Sequence, residues 1–261
     1  MTRAALEPCL ASFDPRDHVG KPVYIGLDLS QVRDLTAIAA VIKTGSVAVE
    51  VTTPQGCKVI QKPTFDAWIE AWTPRDSLDA RELRDKLPYR VWVNEGHLHA
   101  PAGETVSYRH VAQTLASYAT DFAVEMVAYD RYAFRRFEED VAELGMSLPF
   151  VEHPQGGLKR GKPLDGTKGV KTHEGLWMPG SVRLLEELIL EKRIRLLKNP
   201  VLVSALMSCV LENDKWGNHW LSKARSVNKI DAAIALAMAV GSAIATFETT
   251  HIIQQGFVVI D

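Results

Sequence analysis

The stretch from Ile230 to Phe247, IDAAIALAMAVGSAIATF, constrains the fold more than any other. Its one charged residue is Asp231, near the start, and the remainder is apolar or small and dominated by alanine. Such a helix has no polar face to offer water and must be covered on most sides. A bilayer is one cover, but a spanning helix needs roughly 20 apolar residues, and this segment is shorter and poor in leucine and phenylalanine. It therefore reads as a helix buried inside a soluble core. A composition of 46% hydrophobic and 24% charged residues over 261 positions can supply that core in one large domain, with or without a small appendage.

The rest of the chain gives that helix something to lie on. Residues 1–20 are mixed in composition, with turn formers around FDPRD, and read as an arm or linker ahead of a domain over 21–261. VYIGLDL (Val23 to Leu29) reads as a buried strand, SQVRD turns the chain, and LTAIAAVI and VAVEVTT read as a second and a third strand. A helical charge pattern follows in SLDARELRDK, and a helix is expected from Val106 to Ala119. AVEMVAY (Ala123 to Tyr129) is a further strand, and FRRFEEDVAELG a helix that Gly145 closes as a C-cap. Glu152 to Gly180 is rich in Gly, Pro and Lys without apolar periodicity, and is expected to be a mobile loop. SVRLLEELILEKRI is amphipathic, with Leu184, Leu185, Leu188 and Ile189 on one face. This order of elements predicts an α/β domain with a mixed sheet flanked by helices.

Three aspartates stand at the edges of these elements. Asp28 lies inside an apolar strand, where a charge is costly unless it is paired or liganded, and alternation puts it on the side of Tyr24 and Gly26. Asp130 follows the end of AVEMVAY, where open α/β sheets collect ligands. Asp231 heads the alanine-rich helix. Converging carboxylates stay ionised together only if cations neutralise them, and oxygen donors favour Mg²⁺ or Mn²⁺. Two such ions about 4 Å apart could clamp the attacking water and leaving oxygen of a phosphodiester. The plainer possibility is a turn aspartate, a helix cap and an N-cap, and residue spacing alone leaves both open.

In order along the chain, YIGLDLSQVRDLTAIAAVI, WTPRDSL, PYRVWVNEGHL, VAYDRY, LLEELILEKRIRLLKNPVL and SKARSVNKIDAAIALAMAVG resemble the nuclease domain of tailed-bacteriophage terminase large subunits. The likeness runs from about residue 22 to residue 243. It implies a ribonuclease H-like fold and a two-metal endonuclease that cuts concatemeric viral double-stranded DNA during genome packaging. Carried over, the catalytic and metal-binding residues are Asp28, Asp130 and Asp231, with two Mg²⁺ or Mn²⁺ ions. Asp34 shapes the turn or supports the site from behind. Lys223 and Arg225 are expected to meet the DNA backbone. The implied partners are the terminase ATPase domain, the small subunit and the portal, and the implied location is the host bacterial cytoplasm. No GxxxxGK[ST] loop is present, so the chain reads as the nuclease part alone, whether excised or separately encoded.

The formal net charge of −2 gives no global basic field, so any DNA contact must come from local patches. The richest is LKRGKPLDGTKGVKT, where Lys159, Arg160 and Lys162 are candidate phosphate contacts. His153 and His173 flank this loop and are candidate proton carriers. Cys9, Cys57 and Cys209 are odd in number and lack metal-ligand spacing, which suits a reducing compartment. Two other readings remain: a DNA-binding packaging module without catalysis, and an actin-like ATP-binding fold, which also opens on a strand carrying a similar IG-D-L pattern.

Overall fold

The computed structural model describes residues 2–30, 34–53, 56–131, 134–156 and 176–254. The chain begins with a helical turn, α1 (Arg3–Leu6), and a short strand, β1 (Leu10–Ala11). Three long strands come next, β2 (Pro22–Asp28), β3 (Thr36–Thr53) and β4 (Gly56–Trp72). Then follow α2 (Leu78–Asp85), α3 (Tyr89–Asn94), α4 (Tyr108–Asp121), β5 (Ala123–Tyr129), α5 (Phe134–Glu143) and β6 (Phe150–Glu152). The last part holds α6 (Met178–Leu190), β7 (Ile194–Leu197), α7 (Pro200–Ser208), the hairpin β8 (Leu211–Asn213) and β9 (His219–Leu221), and α8 (Asp231–Gln254).

Seven strands form one mixed sheet in the order β1-β7-β4-β3-β2-β5-β6. β2, β3 and β4 are an antiparallel meander, and the other neighbours pair in parallel. This is the mixed, helix-flanked sheet that the order of elements predicts. LTAIAAVI and VAVEVTT, read as two strands, are one continuous β3 whose register shifts between Lys43 and Gly45. A glycine inside a strand can mark a bulge as well as an end, and here it is a bulge. The meander's third member is β4, which carries the aromatic FDAWIEAW.

β2 is central and buried on both faces. On one side Val23, Ile25 and Leu27 join α4 and α5 through Val111, Leu115 and Phe137. On the other, Tyr24 belongs to the core around α8, which α6 and α7 cover. The first part of α8 is apolar all round because it lies between the sheet and those helices, with Ala232 through Val240 sealed from solvent. Among the described residues no helix is long and apolar enough to cross a membrane. Gly26 lets α8 approach: an added Cβ would fall 2.0 Å from the Ala235 carbonyl oxygen and 2.7 Å from the Ala239 nitrogen. Gly145, at φ +70°, ends α5 as expected, its N–H donating to the Ala142 carbonyl while Met146 N–H donates to Val141. On α6, Leu185, Leu188 and Ile189 are buried and Leu184 packs partly buried beside them.

Residues 2–20 lie against the sheet. β1 pairs with β7, and His18 Nε2 lies 2.9 Å from Asp66 Oδ2. Asp66 is fully buried and also receives Arg195, from Nε at 2.7 Å and from Nη2 at 2.5 Å. A buried carboxylate gripped by a guanidinium and an imidazole needs both in place, and so ties the segment before β2 to the sheet.

Candidate active site

Chain direction places the first two aspartates side by side. β2 and β5 are parallel neighbours with Leu27 opposite Tyr129, so Asp28 and Asp130 follow one residue further along adjacent strands. Asp28 is buried and Asp130 half-buried. The third aspartate arrives on α8, whose first residue is Asp231, 1% exposed. The flush contact at Gly26 brings the start of α8 to the end of β2.

Lys223, on the segment joining β9 to α8, enters between two of these carboxylates. Its Nζ lies 2.8 Å from Asp28 Oδ2, 3.1 Å from Asp28 Oδ1 and 2.8 Å from Asp231 Oδ1. The nearest oxygens of the two aspartates are thus no further apart than twice 2.8 Å, inside the about 8 Å that two bridging ions would allow. Gln155 Nε2 donates to Asp28 Oδ1 at 3.2 Å, and the Leu35 N–H donates to Asp231 Oδ2 at 3.3 Å. Asp28 Oδ2 is buried with no aligned hydrogen-bond donor, although the ammonium sits at ion-pair distance from it. There Lys223 acts through its charge rather than as a directed donor.

Burial raises the carboxyl of Asp28 above the usual range, outweighing the pull of Lys223, and Asp130 adds to the rise. Burial likewise lifts Asp231 to about 6, with Lys223 opposing and Asp28 reinforcing. Two buried carboxylates facing one ammonium remain short of positive charge. Asp34 differs. Burial acts to raise it, but Lys229, with Nζ 2.5 Å from its Oδ1, overcomes that and holds it low. Its N–H donates to Ser30 Oγ at 3.2 Å, which links it to the residue two beyond Asp28. An open cleft beside the pair is lined by Asp34, Asp85, Lys223, Asn228 and Lys229 among others.

Asp28 and Asp231 are therefore gathered around one cation, and Asp130 stands next to Asp28. Among the described residues no three His, Cys, Asp or Glu side chains converge closely enough to hold a metal ion as they stand. The donor set still suits a hard cation: carboxylate oxygens, one of them lacking an aligned donor, with an ammonium standing in for the ion. Arg225 is largely exposed and pairs with Glu212 at 3.1 Å. Lys159, Arg160, Lys162 and His173 lie outside the described residues. His153 is fully buried, bonded through Nε2 to Ser181 Oγ at 2.8 Å, and burial lowers it to about 4. A ring sealed in this way does not exchange protons with a substrate. Gln155, at the edge of a stretch without apolar periodicity, carries no sequence signal, whereas a glycine inside an apolar strand, as at Gly26, can announce a close backbone approach.

The model of the terminase large subunit, endonuclease domain, matches residues 65–246. The terminase large subunit of Enterobacteria phage HK97 is 32% identical over 220 residues, covering 84% of this chain and 37% of that protein. The crystal structure of the HK97 bacteriophage large terminase superposes with a TM-score of 0.71 at 30% identity, over 93% of this chain and 43% of the other. A further match is the large terminase nuclease from thermophilic phage G20c, at 10% identity and TM-score 0.46, covering 90% of this chain and 95% of that one. The chain thus spans less than half the length of the HK97 proteins it matches. It belongs to the family of terminase large subunit endonuclease domains.

Proposed function

We propose that the chain is a divalent-metal-dependent DNA endonuclease that hydrolyses phosphodiester bonds of concatemeric viral double-stranded DNA during packaging. The observation that carries this reading is the buried Asp28–Asp231 pair held around a single positive charge. Such a pair adds nothing to folding that apolar residues of similar volume could not supply, so its value lies in binding. Asp28 and Asp231, joined by Asp130 from the neighbouring strand end, are the residues that would hold Mg²⁺ or Mn²⁺, in a two-ion arrangement by our reading. When bound, the metal supplies Lewis acidity at the phosphodiester and lowers the pKa of water.

The chain's own groups set up that chemistry. Gln155 fixes the rotation of the Asp28 carboxylate, and the Leu35 N–H fixes that of Asp231. Lys229 neutralises Asp34, so that this fourth acid does not add to the charge of the site. Arg225 and Lys223, with Lys159, Arg160 and Lys162, are assigned to the DNA phosphates, which position the duplex without reading its sequence. The terminase ATPase domain, small subunit and portal are the proposed partners, and the host cytoplasm the proposed location. Family membership sets aside the actin-like alternative.

The test is conversion of supercoiled plasmid to nicked and linear forms with Mn²⁺ or Mg²⁺, comparing the native chain with Asp28→Asn and Asp231→Asn. Cutting that needs the ion and falls by about 100-fold or more in each variant is expected. Cutting that survives EDTA, or full activity in both variants, overturns the proposal. DNA binding without any cutting would favour a non-catalytic packaging module.

A further inference from the structure

We propose that Lys223 is an exchangeable counter-ion, holding Asp28 and Asp231 together until a divalent ion takes its place and its ammonium turns outward. The inference rests on the metal-site reading above and goes further by assigning what occupies the pair beforehand.

Position comes first. The ammonium is 2.8 Å from one oxygen of each aspartate, so it fills the space between them where a shared cation belongs. An ammonium and a divalent ion cannot occupy that space together, because their mutual repulsion in a buried setting is large. Charge comes second. One positive charge faces two carboxylates, with Asp130 close to the first, whereas a divalent ion neutralises the pair by itself. The nearby Lys229–Asp34 contact is matched one to one and has no such deficit.

Mobility is unequally shared. Asp28 and Asp231 are fixed at the end of β2 and the start of α8, with side chains 4% and 1% exposed. Lys223 lies on the segment between β9 and α8, which carries no regular secondary structure up to Asp231, and its side chain is 34% exposed. Its four-carbon stem has a route into the open cleft beside the pair. The lysine gives up hydrogen bonds to Asp28 Oδ1 and Asp231 Oδ1 on leaving, and an ion bound by the same carboxylates would replace them, while Asp28 Oδ2 has no aligned donor to lose. The exchange also orders events: the positive charge assigned to DNA phosphate becomes available only once the site is loaded.

Mn²⁺ binding without DNA tests this, with the electron paramagnetic resonance signal of the free ion followed in titrations of the native chain and of Lys223→Met. Removing the competitor should tighten Mn²⁺ binding about tenfold or more. Equal or weaker affinity in Lys223→Met overturns the exchange while leaving the metal site standing. If neither protein binds Mn²⁺, the metal reading falls and the exchange falls with it. Because Lys223→Met leaves two buried carboxylates without their cation and could fail to fold, the native chain supplies a second measurement. Acetylation of Lys223, read by mass spectrometry against the exposed Lys86, should rise severalfold when Mn²⁺ is added. Unchanged labelling at saturating Mn²⁺ overturns the exchange.

Discussion

Gly26→Ala should damage both the fold and the acidic site, and the contacts set the size of the effect. The new Cβ would meet the Ala235 carbonyl oxygen at 2.0 Å and the Ala239 nitrogen at 2.7 Å, where ordinary contact begins near 3.4 Å. Both are backbone atoms of α8, so no side chain can rotate away, and β2 and α8 must part by about 1 Å or more in a close-packed interior. Neither can move into solvent, since both are buried. Overpacking of this kind costs about 1–3 kcal/mol where side chains can adjust, so about 3 kcal/mol or more is expected here. At this chain length that lowers Tm by roughly 6–12 °C. The separation opens where Asp28 and Asp231 are held 2.8 Å from one ammonium, so stabilisation by Mn²⁺ should weaken too. Urea unfolding with and without Mn²⁺ measures both effects. Gly45→Ala is the control, its Cβ meeting only Thr64 Oγ1 at 3.5 Å, and should stay within about 0.5 kcal/mol of the native chain. A Gly26→Ala protein within that same margin, with undiminished Mn²⁺ stabilisation, would refute the account of how α8 delivers Asp231.

Two further outcomes follow from buried titratable groups away from the pair. His153 is held neutral, its pKa lowered from 6.5 to about 4, so between those values the unfolded chain takes up a proton that the folded chain refuses. Stability is therefore lost as pH falls through this window, by about 3 kcal/mol at full effect. His153→Leu should reduce proton uptake on unfolding near pH 5 by about one, measured as the pH slope of the unfolding free energy, and an unchanged slope would contradict the assignment. Asp66→Ala removes the shared partner of His18 and Arg195 and should cost about 2 kcal/mol, less than for a fully sealed pair because Arg195 can reach water. Hydrogen exchange should quicken in β1 and in residues 14–18. Exchange no faster than in the native chain would show that Asp66 does not hold that segment.

The amphipathic helices were legible because their periodicity is dictated by which face is buried, as in α6, and α8 was legible because an all-apolar segment has few places to go. The length of β3 was not, because Gly45 looks the same in sequence whether it ends a strand or bulges one. The docking of residues 2–20 was hidden for another reason: it depends on partners remote in sequence, among them β7 for β1 and Asp66 for His18. At the site, the strand-end position of Asp28 and Asp130 and the helix-start position of Asp231 could be read from local pattern. Lys223 could be read only as a basic residue near the last aspartate. That it lies between two carboxylates depends on β2 meeting α8 flush at Gly26, and a glycine inside an apolar strand signals a close approach without saying to what.

The most direct test of the central claim is the position of Mn²⁺ in crystals of the native chain, read from its anomalous scattering. The account predicts a peak between Asp28 and Asp231, within about 2.2 Å of an oxygen from each, with Lys223 moved out of that space. Saturating Mn²⁺ that leaves Lys223 in place between the two carboxylates, with no peak there, would contradict it.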